Sequence, residues 1–121
     1  MTIGHFPSIY IASRKRNAAI LRAYRDGGVP IISTWIDAVD SGRIPKPTQD
    51  EIWRNAREEI GRCYTFIFHD GGDGAMLELG IAIALEIPHI AVTQDGPWNH
   101  FPGVYRYESL QECLSEAEVP F

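Results

Sequence analysis

Residues Tyr64-Thr-Phe-Ile-Phe-His-Asp-Gly-Gly-Asp-Gly-Ala-Met-Leu-Glu-Leu-Gly-Ile-Ala-Ile-Ala-Leu85 decide how the chain folds. Tyr64 to Phe68 is an unbroken β-branched and aromatic run, the pattern of a strand covered on both faces. The turn Asp70-Gly71-Gly72-Asp73-Gly74 follows, and a helix is predicted beyond it. Such a turn brings backbone N–H groups and the positive end of a helix to the carboxyl edge of the strand. Open α/β sheets bind ligands at that edge. At about 100° per residue, Glu78 shares its helix face with Ala75, Ile81, Ala82 and Leu85. A carboxylate on an apolar stripe loses hydration, so Glu78 is expected to be paired, protonated or turned into a cleft where its charge has a use. The plainer alternative is that it only complements the helix dipole.

Working outward from this unit, Ser8 to Ala12 reads as a first strand, expected to be central. Ser13-Arg14-Lys15-Arg16-Asn17 is a basic turn, and Ala18 to Arg25 is helical, stopped by Asp26-Gly27-Gly28. Val29 to Trp35 reads as a second strand with a tolerated proline near its start. Residues 36–50 form a long turn-rich connection of the kind that builds ligand walls. Glu51 to Arg62 is amphipathic, with Ile52, Ala56, Glu59 and Cys63 along one line and Trp53, Arg57 and Ile60 along another. Pro88 to Thr93 is a fourth strand and Gln94 to Pro102 a second ligand-side loop. Val104 to Tyr107 is a short edge strand, and Glu108 to Ala117 is a closing helix. The alternation, with crossovers of the length a parallel sheet needs, predicts one α/β domain over residues 1–121. Its expected form is a three-layer, flavodoxin-like or Rossmann-like parallel sheet of four to five strands with helices on both faces.

Composition narrows the function classes. The 121 residues are 45% hydrophobic and 22% charged, ordinary for a globular chain. A formal net charge of −5 argues against binding a nucleic acid polymer. No apolar run reaches membrane-spanning length and the amino terminus lacks a signal-peptide pattern, so a cytoplasmic protein without membrane contact is expected. Cys63 and Cys113 have neither disulfide-framework nor metal-ligand spacing and read as buried thiols. No metal site and no cofactor motif is found. The glycine turn has no Walker lysine and lacks dinucleotide-fingerprint spacing.

Four features should meet at the strand carboxyl ends: the basic turn, the 36–50 connection, the glycine turn and the loop holding Trp98, Asn99, His100 and Phe101. Ser13, Arg14 and Arg16 open a helix and suit a phosphate; the alternative is a solvated basic cluster. Trp35, Trp98 and Phe101 are candidates to stack on a base, each equally readable as core. His69 and His100 are candidates to protonate a leaving group, with a structural hydrogen bond the first expectation for His69. A lone carboxylate in a semi-apolar cleft suits attack on an oxocarbenium-like sugar carbon.

Ile9-Tyr-Ile-Ala12, Trp53-Arg-Asn with Glu59-Ile and Cys63, Gly74-Ala-Met-Leu-Glu-Leu-Gly-Ile-Ala82, and Phe101-Pro-Gly-Val with Ser109-Leu together resemble the nucleoside 2-deoxyribosyltransferase-like family, which includes 5'-nucleotide N-glycosidases. The resemblance implies that Glu78 is the nucleophile at C1' of a (deoxy)ribose and that Tyr10 lines the pocket. It also puts Asn55 where deoxyribosyltransferases often keep a base-contacting or proton-handling Asp. The family's Asp or Ser six residues before the nucleophile falls on Gly72, with Asp70 and Asp73 on either side as substitutes. Gly71-Gly-Asp-Gly-Ala-Met-Leu-Glu78 further resembles the G-G-x-G-T-x-x-E element of cytokinin-type phosphoribohydrolases, with Ala75 in place of Thr. Both likenesses imply an N-glycosidic bond as target and a small-molecule nucleoside or nucleotide as partner. With the basic turn, hydrolysis of a nucleoside 5'-monophosphate is the first expectation and base exchange on free (deoxy)nucleosides the second. Glu78 is then expected to be ionised at neutral pH, helped by the turn amides and the helix dipole. A non-catalytic nucleotide sensor, or a different small-molecule protein on the same scaffold, remains open. The apolar surround of the Glu78 helix predicts a homodimer or larger assembly.

Overall fold

The computed structural model describes residues 8–38 and 48–117. Four parallel strands form the sheet: β1 (Ile9–Ala12), β2 (Thr65–Phe68), β3 (His89–Val92) and β4 (Val104–Arg106), paired in that order. The register aligns Tyr10 with Phe66 and Phe66 with Ile90. β1, β2 and all but the first residue of β3 are fully buried, which explains their continuous apolar sequence. The helices are α1 (Ala18–Asp26), α2 (Trp35–Ala38), α3 (Gln49–Arg62), α4 (Asp73–Ala84) and α5 (Leu110–Ala117).

Alternation along the strands divides the core in two. Tyr10, Phe66, Phe68, Ile90 and Val92 face Ala56 and Ile60 of α3 and Ala75, Leu79 and Ala82 of α4. Ile9, Ile11, Ile67 and Ala91 face Leu21 of α1 and Leu110, Cys113 and Leu114 of α5. This is the three-layer α/β architecture read from the sequence, with helices on both faces.

The expected second strand is reduced to a single bridge. Ile31 pairs in parallel with Ile9, outside β1, through Ile9 N–H to the Pro30 carbonyl at 2.9 Å and Ile32 N–H to the Ile9 carbonyl at 2.8 Å. Beyond it the ladder is replaced by side chains: Ile11 N–H donates to Ser33 Oγ at 2.8 Å, and Thr34 N–H donates to Glu59 Oε1. Trp35 starts the single turn of α2 instead of ending a strand. β1 is thus an end strand of the regular sheet, flanked only by this bridge. α2 is held by a two-pronged ion pair from Arg25 of α1 to Asp37, at 2.8 and 3.0 Å. Most of the 36–50 connection lies outside the described residues. α3 starts two residues earlier than its periodicity suggests, because Thr48 and Glu51 form a reciprocal capping box.

The link from β2 to α4 leaves no spare room. A Cβ added at Gly71 would lie 1.9 Å from a Phe68 ring carbon and 2.7 Å from the Ala75 Cβ. Gly71→Ala is therefore expected to cost roughly 1–3 kcal/mol in urea unfolding through overpacking. An unchanged midpoint would mean the β2–α4 turn is loosely packed.

Candidate active site

Glu78 lies in the second turn of α4, directed at the sheet. Tyr10 and Glu78 are 0% and 9% exposed, and the Tyr10 hydroxyl donates to Glu78 Oε2 at 2.5 Å. The Tyr10 ring is fixed by stacking on Phe66, centroids 5.7 Å apart and planes 7° apart. Burial pushes the Glu78 carboxyl up to about 7, against the pull of the Tyr10 hydrogen bond, and the Glu59 carboxylate adds to the rise. This push runs against the expected help of the turn amides and helix dipole in keeping Glu78 ionised at neutral pH. Desolvation outweighs what the turn and the helix dipole supply, because Glu78 sits five residues into α4 and the dipole's effect is concentrated in the first turn. Tyr10 is raised far above the usual phenol range, first by burial and then by the Glu78 charge, and so stays the donor.

The basic turn is occupied by an internal anion. Arg16 contacts Asp70 at 3.0–3.2 Å, Arg14 lies 3.6 Å from the same carboxylate, and Asn17 Nδ2 donates to it at 2.9 Å. Ser13 Oγ accepts from the same Asn17 amide. These contacts hold Asp70 in left-handed backbone at φ 46°. They also hold its carboxyl below the usual range, the Asn17 hydrogen bond foremost. Arg14 reaches further. Its guanidinium is 3.1 Å from where a Cβ on Gly72 would stand, above the start of α4. That start has no side-chain cap. An anion there would meet helix amides and one guanidinium, whereas at the head of α1 the guanidinium of Arg16 is already taken by Asp70.

The remaining candidates separate. Asp73 is exposed at the first residue of α4, and Gly74 beside it adjoins Trp53, whose ring lies 3.8 Å from a Cβ built at that glycine. Trp98 is in the core, edge-on to Phe68 at 5.0 Å, with its indole N–H on the Gln94 carbonyl. That takes it out of base stacking. Trp35 is half-buried and donates its indole N–H to the Ile11 carbonyl at 2.7 Å, which leaves it as a fixed wall. Asn55, His100 and Phe101 lie on the surface. His69 pairs with Thr93 Oγ1 at 2.8 Å, the structural bond expected of it, and burial lowers its proton affinity. Burial raises both Cys63 and Cys113 to about 12, making them inert thiols.

Three contributors escaped the sequence reading. Trp53 is 38% exposed beside the glycine turn; its signal was a large aromatic on a helix line shared with Arg57. Gln94 accepts the Gly71 N–H at 2.8 Å and pins the turn. Glu59 is buried on α3, where the sequence showed only an acidic residue on an apolar line. A cavity of about 380 Å3 lined by Tyr64, Thr65, His89, Tyr105, Tyr107 and Glu116 shares no residue with the Glu78 corner.

Set against protein-family models and curated proteins, the chain matches none.

Because the folded Glu78 pKa is raised, its contribution to stability is present below the ordinary carboxylate pKa and fades as pH rises through about 7. Glu78→Gln keeps an acceptor for Tyr10 and removes the buried charge. It is expected to differ little from wild type in urea unfolding at pH 5 and to be more stable at pH 8 by something on the order of 2–3 kcal/mol. Equal stabilities at pH 8 would place the ionised carboxylate in water.

Proposed function

We propose that the protein cleaves the N-glycosidic bond of a nucleoside 5'-monophosphate, or of a (deoxy)nucleoside with base exchange, through a glycosyl-enzyme on Glu78. One observation carries this reading: a buried carboxylate, beside a glycine turn at the carboxyl edge of the sheet, with one oxygen held by Tyr10. Glu78 Oε1 is then the attacking atom. It forms an ester to C1' as the C1'–N bond breaks, and the electron pair leaves with the base, which takes up a proton. Water, or a second base, attacks C1' and returns the carboxylate. Tyr10 keeps the nucleophile from rotating out of line. Asp70 is committed to Arg14, Arg16 and Asn17 and is no proton donor. Asp73 is left as the acid of the turn. Trp53 is the aromatic available to stack on the base, and the uncapped head of α4 under Arg14 is the seat for the phosphate.

A second reading, a nucleotide sensor without turnover, is favoured by Asn55, which exchanges no proton and lies exposed on α3. Base release from a panel of ribo- and deoxyribonucleoside monophosphates and free nucleosides, followed by chromatography, separates the two. Release by wild type is expected to vanish in Glu78→Gln and to rise with pH around a midpoint near 7, as the carboxylate is unmasked. Arg14→Ala is expected to weaken phosphorylated ligands by roughly tenfold or more and free nucleosides little. Binding without release in wild type would select the sensor.

We also propose a homodimer or larger assembly through the outer face of α4, where Met76 and Leu77 are 45% and 63% exposed. The apolar side chains beside Gly80 suit close helix packing. Among the described residues no helix is long and apolar enough to cross a membrane, and a cytoplasmic setting suits a nucleotide-processing protein with buried free thiols. Light scattering is expected to give at least twice the chain mass, reduced to monomer by Leu77→Glu. A wild-type monomer at micromolar concentration would remove the interface.

A further inference from the structure

The amino ends of the strands, at the edge of the sheet opposite the glycine turn, carry a different set of side chains. Thr65 and His89 are the first residues of β2 and β3 and lie side by side in register. By alternation they share a face with Ile67 and Ala91, two positions further on. Leu110, Cys113 and Leu114 of α5 cover that apolar pair. Next to this cover lies the cavity of about 380 Å3, walled by Thr65 and His89 from the sheet and by Glu116 from the last turn of α5. Tyr64 before β2, Tyr105 on β4 and Tyr107 just after it complete the wall with three phenol rings.

The lining is built and fixed. Both nitrogens of His89 are engaged, Nδ1 with Thr65 Oγ1 at 3.3 Å and Nε2 with the Tyr107 hydroxyl at 3.0 Å. The imidazole meets the Tyr105 ring at 5.8 Å with planes 51° apart, and the Tyr107 ring at 6.0 Å with planes 79° apart. The rings therefore stand at angles to one another as walls around a space. Burial lowers the proton affinity of His89 against the pull of Glu116, so the imidazole adds no charge at neutral pH. Arg106, between the two tyrosines, is bound to Asp95 at 3.0 Å. Among the described residues no lysine or arginine lines the cavity, and Glu116 gives it one negative charge. Phenol faces attract cations and a carboxylate balances them. With the His89 nitrogens and the Tyr107 hydroxyl already bonded, the walls suit a cation that needs ring faces more than hydrogen-bond acceptors.

We propose that this cavity binds a small organic cation carrying a methylated ammonium, held against the rings of Tyr105 and Tyr107 and balanced by Glu116. The site shares no residue with the Glu78 corner and does not rest on the glycosidic reading.

Choline is the probe, set against its uncharged carbon analogue in which a tert-butyl group replaces the trimethylammonium group. Calorimetric titration of the whole chain is expected to show saturable choline binding in the millimolar range, with the analogue several-fold weaker. The His89 ring signals in NMR should move with the same midpoint. Tyr105 is 55% exposed, and Tyr105→Leu keeps an apolar side chain while removing the π face; choline should bind roughly three- to tenfold more weakly. Glu116→Gln, also at an exposed position, should weaken it by roughly two- to fivefold. An isotherm without saturation overturns the proposal. So does equal affinity for the analogue, which would report an apolar pocket indifferent to charge, or a set of His89 signals that stays still while choline binds elsewhere. Wild-type affinity in both variants has the same consequence. Should a variant fail to fold, the wild-type titration decides by itself. Base release from nucleotides is a separate measurement, so this site and the glycosidic reading stand or fall independently.

Discussion

The hydrogen bond from Tyr10 to Glu78 crosses from the sheet to the helix layer in a place with almost no water. Each partner is disfavoured there as an anion, and each is made tolerable by the other. The phenol keeps its proton because burial and the neighbouring charge forbid its loss, and the carboxyl has one oxygen satisfied whether or not it is ionised. A buried donor left without its acceptor costs on the order of 1–3 kcal/mol, so this pair fixes the rotation of α4 over β1. The approach must be close for the bond to form. Gly71 permits it, since no side chain fits between Phe68 and Ala75 at that point.

What surrounds the pair serves the same approach. Asp70 takes a left-handed backbone that a residue with a side chain adopts reluctantly, and the basic turn supplies the compensation. Arg14 and Arg16 read as a phosphate site in the sequence because three cations at a helix start oppose its dipole. In the fold they close on a carboxylate 54 or more residues away in sequence. Asp70 is thus a built-in anion that braces the β2–α4 turn. Only Arg14, leaning over Gly72, keeps a second direction in which to act.

The parts that were legible in the sequence are those in which one residue type answers to one environment. Tyr64 to Phe68 read as a covered strand, which starts at Thr65, and Glu78 on a face with Ala75 and Ala82 read as paired, protonated or turned into a cleft, and it is buried and bonded to Tyr10. Illegible were the places where a side chain stands in for backbone. Val29 to Trp35 has strand composition, yet Ser33 and Thr34 bond through Oγ atoms and through Glu59, so the ladder stops after Ile31. No periodicity separates that from a full strand. The tryptophans failed for a related reason. Trp98 and Trp53 look alike in sequence, and only the third dimension puts one against Phe68 and the other beside Gly74. Glu59 was hidden by the same averaging, a charge on an apolar line whose partner lies 25 residues upstream.

A carboxylate intended only to stabilise the fold would be poorly placed in this corner. Burial, and after it the Glu59 charge, raise the cost of ionising Glu78, and a well-packed apolar side chain of similar volume would stabilise the domain at least as well. The arrangement becomes reasonable once a positive charge visits it. Glu78 then gives up a proton held only loosely near neutrality, and Tyr10 stays attached throughout. Under the glycosidic proposal that charge is an anomeric carbon losing its base, a transient cation that such a site would bind more tightly than the neutral ground state.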